Sequence, residues 1–304
     1  MPEPQSMATF RGEELSMNLI GQPAHVGRFC GSQSHAITHE AVDFYLDALG
    51  GTKEDYREHA PPLLHHSECY AFVGEWYLKN LFGNLHAQQD WEIFSPIRIG
   101  TQVRSVSTIV DRYLKRGRLY VVNETDLFDT ESQALLVRGR THQSFLPSDQ
   151  NKESSDEFVV DSKTSNQKTP RPPFPTAQGP RLPEVHKLVD QRTCWMFSGP
   201  GRNYHTDKEE ARKLGFPTIV VQGMMSTCFI SEVMHRAFGP EWLTGGRMSI
   251  KLTNVLWVDE EITAFGRVKE TLPEGSGERI HCEVWVEKKD GTRIALGTAS
   301  ALRT

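Results

Sequence analysis

Between Gly223 and Gly239, apolar side chains recur at helical spacing: Met225, Phe229, Val233 and Ala237 lie four apart, and Met224, Cys228 and Ile230 widen the stripe. A stripe that broad exceeds one contact face, so the pattern predicts a mostly buried helix with other elements wrapped around it. Gly239-Pro240 should end it, because proline brings no amide to the helical ladder. Downstream, the segments 248–257, 261–269, 279–287 and 293–302 read as strands, with Lys289-Asp290-Gly291 as a hairpin turn. Upstream, Thr206-Asp207-Lys208-Glu209 reads as a capping box opening a two-turn helix that Gly215 closes.

The first half repeats this order without evident sequence identity. A short helix is expected after Thr38, then the loop Ala60-Pro61-Pro62-Leu63-Leu64, then a longer helix through Tyr70, Val73, Trp76, Tyr77 and Leu81. Strand-like stretches follow at 91–97, 102–113, 119–127 and 134–145, with Gly100 and Gly117 as breaks. Between the halves, 148–181 is rich in Ser, Asp, Lys and Pro and poor in aliphatic residues, as linkers are. The expected organisation is therefore an N-terminal domain over 1–147, a flexible linker over 148–181 and a C-terminal domain over 182–304. The fold class is α+β, with two antiparallel sheets each wrapping a long central helix and the halves forming one continuous, pseudo-symmetric body.

Totals narrow the function. A chain of 304 residues suits two cores, and a net charge of −5 with interspersed signs offers no field for nucleic acid. Five scattered cysteines without a C-x-x-C pair suggest a reducing compartment. The N-terminus lacks a signal-peptide apolar core, no run of about 18 apolar residues occurs, and Ala301-Leu302-Arg303-Thr304 is not a peroxisomal address. These point to a cytoplasmic protein with no membrane partner. His35 with His39, or His65 and His66 with Glu68, resemble metal ligands only superficially, since neither group has a second matching half. No metal and no cofactor is expected.

Ser198-Gly199-Pro200-Gly201-Arg202-Asn203-Tyr204-His205-Thr206-Asp207, followed by Gly215-Phe216 and Val221-Gln222-Gly223-Met224, resembles the MaoC-like hydratases and dehydratases. That family's pattern runs Gly-Asp-x-Asn-Pro-x-His, then a short helix, Gly-Phe and a Val-His-Gly-Met turn. The first half resembles the companion domain of two-domain members, in APPLLHH and in DWEIFSPIRIGTQVRSVSTIVDRYLKRGR. The resemblance covers nearly the whole chain outside the linker. It implies a double hotdog fold and acid/base chemistry on an acyl thioester, carried by coenzyme A or an acyl carrier protein. It makes His205 the acid/base, the Gly223 amide the donor to the thioester oxygen, and Ser198, Arg202, Asn203, Gln222 and Met224 substrate-binding residues. Association as a homodimer is compatible with it.

The match is partial. Pro200 stands where the family has its Asp, Arg202 where it has Asn, Asn203 where it has Pro, and Gln222 where it has His. Proline neither accepts a hydrogen bond through its side chain nor exchanges a proton, so the acid/base dyad is broken. Asp207 reads as a structural charge in the first turn of a helix, not as a substitute. Lys208, Arg212 and Lys213 read as a solvated face. The N-terminal half lacks a Gly-x-x-x-x-x-His segment and is expected to supply a wall of the acyl pocket through its 63–68 loop. The leading reading is a dehydratase- or hydratase-type lyase, such as a polyketide or fatty-acyl tailoring enzyme. An isomerase or cyclase using His205 on an unusual or released substrate, and a non-catalytic acyl-binding protein, are the alternatives.

Overall fold

In a computed structural model, the structure describes residues 26–71, 85–145, 159–160 and 174–304. The N-terminal half contributes β1 (Phe29–Ala36), α1 (His39–Leu49), β2 (His59–Ala60), α2 (Glu68–Ala71), β3 (Leu85–Ile93), β4 (Ile97–Arg98), β5 (Gln102–Lys115), β6 (Arg118–Asp129) and β7 (Leu135–Phe145). After a two-residue β8 (Val159–Val160), the C-terminal half adds β9 (Val185–Val189), α3 (Gln191–Ser198), α4 (Lys208–Lys213), α5 (Met224–Phe238), α6 (Pro240–Gly245), β10 (Arg247–Leu252), β11 (Glu260–Glu274), β12 (Gly277–Lys288) and β13 (Arg293–Arg303).

The expected pair of separate sheets is corrected to one. The main strands run in the order β1-β5-β6-β7-β3-β10-β13-β12-β11-β9, with every neighbouring pair antiparallel. Outward from the centre, each half repeats the same connectivity, so β3 corresponds to β10, β7 to β13, β6 to β12, β5 to β11 and β1 to β9. The halves join where Trp91 faces Met248 and Asp90 faces Ser249. Pairing these strands satisfies backbone groups that two separate sheets would each leave open at an edge.

The broad apolar stripe has its expected consequence. Helix α5 starts at the Gly223 cap and ends at Gly239, and Met224 to Ser231 are all buried together with Val233 and Met234. It packs against β9, β11, β12 and β13. Pro240 does more than end it: at the first turn of α6 its missing amide is no loss, so a second helix begins there. Of the long N-terminal helix expected through Tyr70 and Leu81, positions beyond Ala71 lie outside the described residues.

Two strands escaped the periodicity. β1 carries Gly31 and a bulge, and β9 is a five-residue edge strand with alternating Val, His and Lys. The counterpart of α1 is α3, capped by Asp190, whose side chain accepts from the Thr193 amide; α1 and α3 pack together across the seam. Within the segment read as linker, 174–181 is held on the C-terminal sheet. The Glu283 carboxylate accepts from the amides of Thr176 (2.6 Å) and Ala177 (2.9 Å), and a Cβ at Gly179 would lie 2.4 Å from the Val268 carbonyl oxygen. No helix among the described residues is long and apolar enough to cross a membrane.

The contact between β13 and β10 also sets the frame for α5. A Cβ at Gly297 would lie 1.9 Å from the Ser249 carbonyl oxygen, a backbone atom that cannot swing aside. Gly297→Ala is therefore expected to destabilise the protein by about 1–3 kcal/mol or more, read as a lower midpoint of denaturant unfolding. An unchanged midpoint would contradict this packing.

Candidate active site around His205

The 199–207 loop is held by its own polar groups. Asn203 Oδ1 accepts the His205 amide at 2.8 Å, and Asn203 Nδ2 donates to the Ser198 carbonyl at 3.2 Å. Buried Thr206 accepts the Asn203 amide through its hydroxyl (3.0 Å), and that hydroxyl donates to the Gly201 carbonyl (2.9 Å). The expected Thr206 capping box is corrected: the cap of α4 is Asp207, whose carboxylate accepts from the amides of Glu209 and Glu210. Thr206 faces back into the loop, which leaves the helix start to its neighbour.

A second layer fixes the imidazole. The Val220 amide donates to the Tyr204 carbonyl (3.1 Å), and Val220 O lies 2.7 Å from His205 Nδ1. A carbonyl can only accept, so Nδ1 carries the proton and Nε2 presents a lone pair. Burial of the imidazole pushes its pKa down to about 4, against the opposing pull of the Val220 carbonyl. His205 is therefore neutral at pH 7. The Val220 strand is tied to 256–258, since the Val221 amide bonds the Leu256 carbonyl and the Val258 amide bonds the Ile219 carbonyl.

Three residues beyond Val220 stands Gly223. The Met225 and Ser226 amides bond the Gln222 and Gly223 carbonyls, while among the described residues the Gly223 amide has no protein acceptor. It is an orphan donor at the positive end of a 15-residue helix. The approach is close: a Cβ there would lie 2.3 Å from Leu252 Cδ1, so the leucine methyl would have to move to admit one.

The remaining sequence candidates part company. Ser198 ends α3 with its hydroxyl oxygen buried and without a partner among the described residues. Gln222 is half-buried beside the helix start, whereas Met224 is fully buried in the core of α5. Arg202 turns to the surface, where it pairs with Asp207 through two hydrogen bonds of 2.9 and 3.0 Å. Asp207 is thus committed to a cap and an ion pair, which hold its carboxyl down at about 2. Pro200 is exposed.

Sequence reasoning missed two features. One is the use of the Asn203 side chain to hold the His205 backbone; an Asn two residues before the histidine was the available signal. The other is the set of rings beside the imidazole. Tyr204 packs at 3.9 Å from His205, Phe216 at 6.0 Å from Tyr204, and Trp257 at 6.3 Å from Phe216. Trp257 comes from a bridge paired with Val220, a contact no local pattern announces.

In the N-terminal half, His65, His66 and Glu68 are buried around β1. His66 donates from Nδ1 to the Leu63 carbonyl (3.2 Å) and stacks on Phe197 at 3.9 Å; His35 Nε2 is 3.8 Å from Glu68 Oε1. Among the described residues, no group of three His, Cys, Asp or Glu side chains is placed to hold a metal ion.

With this geometry in place, likeness to known structures can be weighed. A MaoC-like dehydratase superposes over 92% of this chain and 99% of its own, with a TM-score of 0.71 at 16% identity. A MaoC-like dehydratase from Phytophthora capsici covers 91% of this chain and 96% of its own, with a TM-score of 0.63 at 16% identity. A Mycobacterium tuberculosis protein described as having a double hotdog fold covers 92% and 97%, with a TM-score of 0.58 at 11% identity. No family model and no curated protein matches the sequence. The chain has the double hotdog fold of the MaoC-like dehydratases, and at these identities the likeness is one of fold.

The imidazole's environment has a measurable consequence. The unfolded chain takes up a proton at His205 near the ordinary value of about 6.5, the folded chain only near 4. The unfolded state thus binds more protons in this window, and the His205 contribution to stability falls as pH drops through it and is constant above it. An NMR titration should give a His205 midpoint near 4, and Asn203→Ala, by loosening the loop, should move it upward. A wild-type midpoint near 6.5 would contradict the buried, Nδ1-donating arrangement.

Proposed function

We propose that this protein is a dehydratase- or hydratase-type lyase acting on an acyl thioester, with His205 as its acid/base and the Gly223 amide as its oxyanion donor. The observation that carries the reading is the 2.7 Å bond from His205 Nδ1 to the Val220 carbonyl, which leaves Nε2 with a free lone pair and ties the ring to a segment that reaches the start of α5 three residues later. In dehydration of a 3-hydroxyacyl thioester, Nε2 takes the proton from Cα, and the thioester oxygen gains negative charge that the Gly223 amide stabilises. The imidazolium then returns that proton to the departing hydroxyl. Cα–H and Cβ–O break, Cα=Cβ forms, water leaves and His205 is neutral again.

A pKa of about 4 suits the second step. It makes the imidazole a modest base and its protonated form a strong acid, so a bound enolate loses its hydroxyl readily. One histidine serves both steps, which bears on the absence of a carboxylate at Pro200. The N-terminal half is read as one wall of the pocket, since its 63–68 loop meets the C-terminal half where His66 stacks on Phe197, next to Ser198. The substrate is held by coenzyme A or by an acyl carrier protein.

Assays of 3-hydroxyacyl and enoyl thioesters test this. His205→Ala should lower kcat/KM by about 10²- to 10⁴-fold, and the acid limb of the wild-type profile should fall near pH 4, not near 6.5. Pro200→Asp, at an exposed position, should add or raise hydration of a short enoyl thioester by supplying a second water ligand. Full activity of folded His205→Ala would exclude the proposal, and turnover only of free acids would favour the isomerase or cyclase alternative.

A further inference from the structure

Beside His205 lies a surface whose composition the proposed reaction does not explain. The rings of Tyr204, His205, Phe216 and Trp257 form a continuous series, with successive centroids 3.9, 6.0 and 6.3 Å apart and planes inclined by 41°, 33° and 57°. All four are half-buried, and the exposed side chains of Leu214 (42%) and Val255 (41%) border them. Three separate chain segments converge here: the loop before α4, the turn after it, and the bridge at Trp257, whose backbone amide is fixed by the Glu260 carboxylate at 2.8 Å.

The polar ends of these rings supply a second observation. Trp242 Nε1 donates to Ser231 Oγ at 3.0 Å and Trp285 Nε1 to the Glu287 carboxylate at 3.1 Å, whereas the Trp91 indole N–H is sealed in the core without an acceptor among the described residues. Among the described residues, neither the Trp257 indole N–H nor the Tyr204 hydroxyl has a protein partner. Both amphipathic rings therefore present an apolar face and an open polar handle on the same surface, adjacent to the base.

We infer that this surface is the acyl-recognition platform, and that the acyl group it takes is planar and aromatic or conjugated, with oxygen substituents. The inference rests on the proposed role of His205 and deepens it. Any substrate whose Cα reaches Nε2 must run close to Tyr204, because that ring touches the imidazole. A flat conjugated group gains offset or edge-to-face contacts with Phe216 and Trp257 that a flexible alkyl chain of equal size does not, and its oxygens meet the Tyr204 hydroxyl and the Trp257 N–H.

The test separates this inference from the reaction itself. Binding of 3-phenylpropanoyl-CoA, which has no double bond to hydrate, is measured by calorimetry against 3-cyclohexylpropanoyl-CoA, equal in size but not aromatic. The phenyl ligand is expected to bind about five- to tenfold more tightly, with Trp257→Leu and Phe216→Leu each removing most of that preference. Kinetics of cinnamoyl against octenoyl thioesters should follow the same pattern. Equal binding of the two saturated ligands by wild type would overturn the inference even if His205 chemistry holds. A preference with no turnover of any thioester would support the platform while removing the lyase reading. Should either variant fail to fold, the wild-type comparison alone still decides.

Discussion

A backbone carbonyl only accepts, and the 2.7 Å approach of Val220 O to His205 Nδ1 turns that limitation into a choice of tautomer. Everything chemical about the site descends from it. The bond requires Val220 to be fixed, and Val220 is fixed because its own amide bonds Tyr204 while its neighbours pair with Leu256 and Val258 at the entry to β11. It requires the His205 backbone to be fixed too, which the Asn203 side chain does from within the loop. The same short segment then turns into Gly223 and α5. The carbonyl that holds the imidazole and the helix start are thus two ends of one three-residue connection.

The two halves share connectivity but not interior chemistry. Around α5 the sheet presents Ile262 and Ala264, Cys282 and Val284, and Ala295 and Ala299, all buried and apolar. The corresponding strands of the N-terminal half also bury apolar Val103, Ile109, Val121 and Val137, and add the polar side chains of Ser107, Asn123, Thr125, Thr141 and Gln89. These pair across strands: Thr125 donates to Ser107 at 3.1 Å, Thr141 to Gln89 at 2.8 Å, and Asn123 reaches the Cys69 carbonyl at 2.9 Å. Satisfied hydrogen bonds hold position with less net stabilisation than apolar burial of the same area. The N-terminal half thus adds a directional polar lattice to its apolar core, and it joins the C-terminal half through β3 and β10.

Much of this was legible in the sequence wherever a pattern is local. The α5 stripe, the Gly239 stop, the four strands after it and the hairpin at Lys289-Asp290 follow from period and turn chemistry, and the structure differs there by a few residues at the ends. Legibility failed where the deciding partner is distant. β9 reads as polar because an edge strand buries only Val185 and Val189, and the seam of β3 with β10 depends on pairing across more than 150 residues. His205 and Gly223 are singled out only by a resemblance, whereas the structural role of Asp207 is legible from its place at a helix start. Nothing local reveals that Asp207 holds the Arg202 guanidinium at the surface. Met224 adjoins Gly223 in sequence, yet a helix turns successive side chains by about 100°, and this one is buried in the core.

The departures from the family pattern fit together once the electrostatics are considered. A carboxylate at position 200 would raise the pKa of a neighbouring imidazole and favour its charged form. Pro200 brings no charge, and the nearest acidic group along the loop, Asp207, is neutralised by Arg202 and turned to the helix cap. Asn203 then binds through neutral amide groups where a charged residue would have added a field. Burial is left as the dominant influence on His205, and it lowers the pKa. With Pro200 uncharged and Arg202 paired to Asp207 at the surface, burial remains the main influence on an imidazole that lies beside the ring of Tyr204.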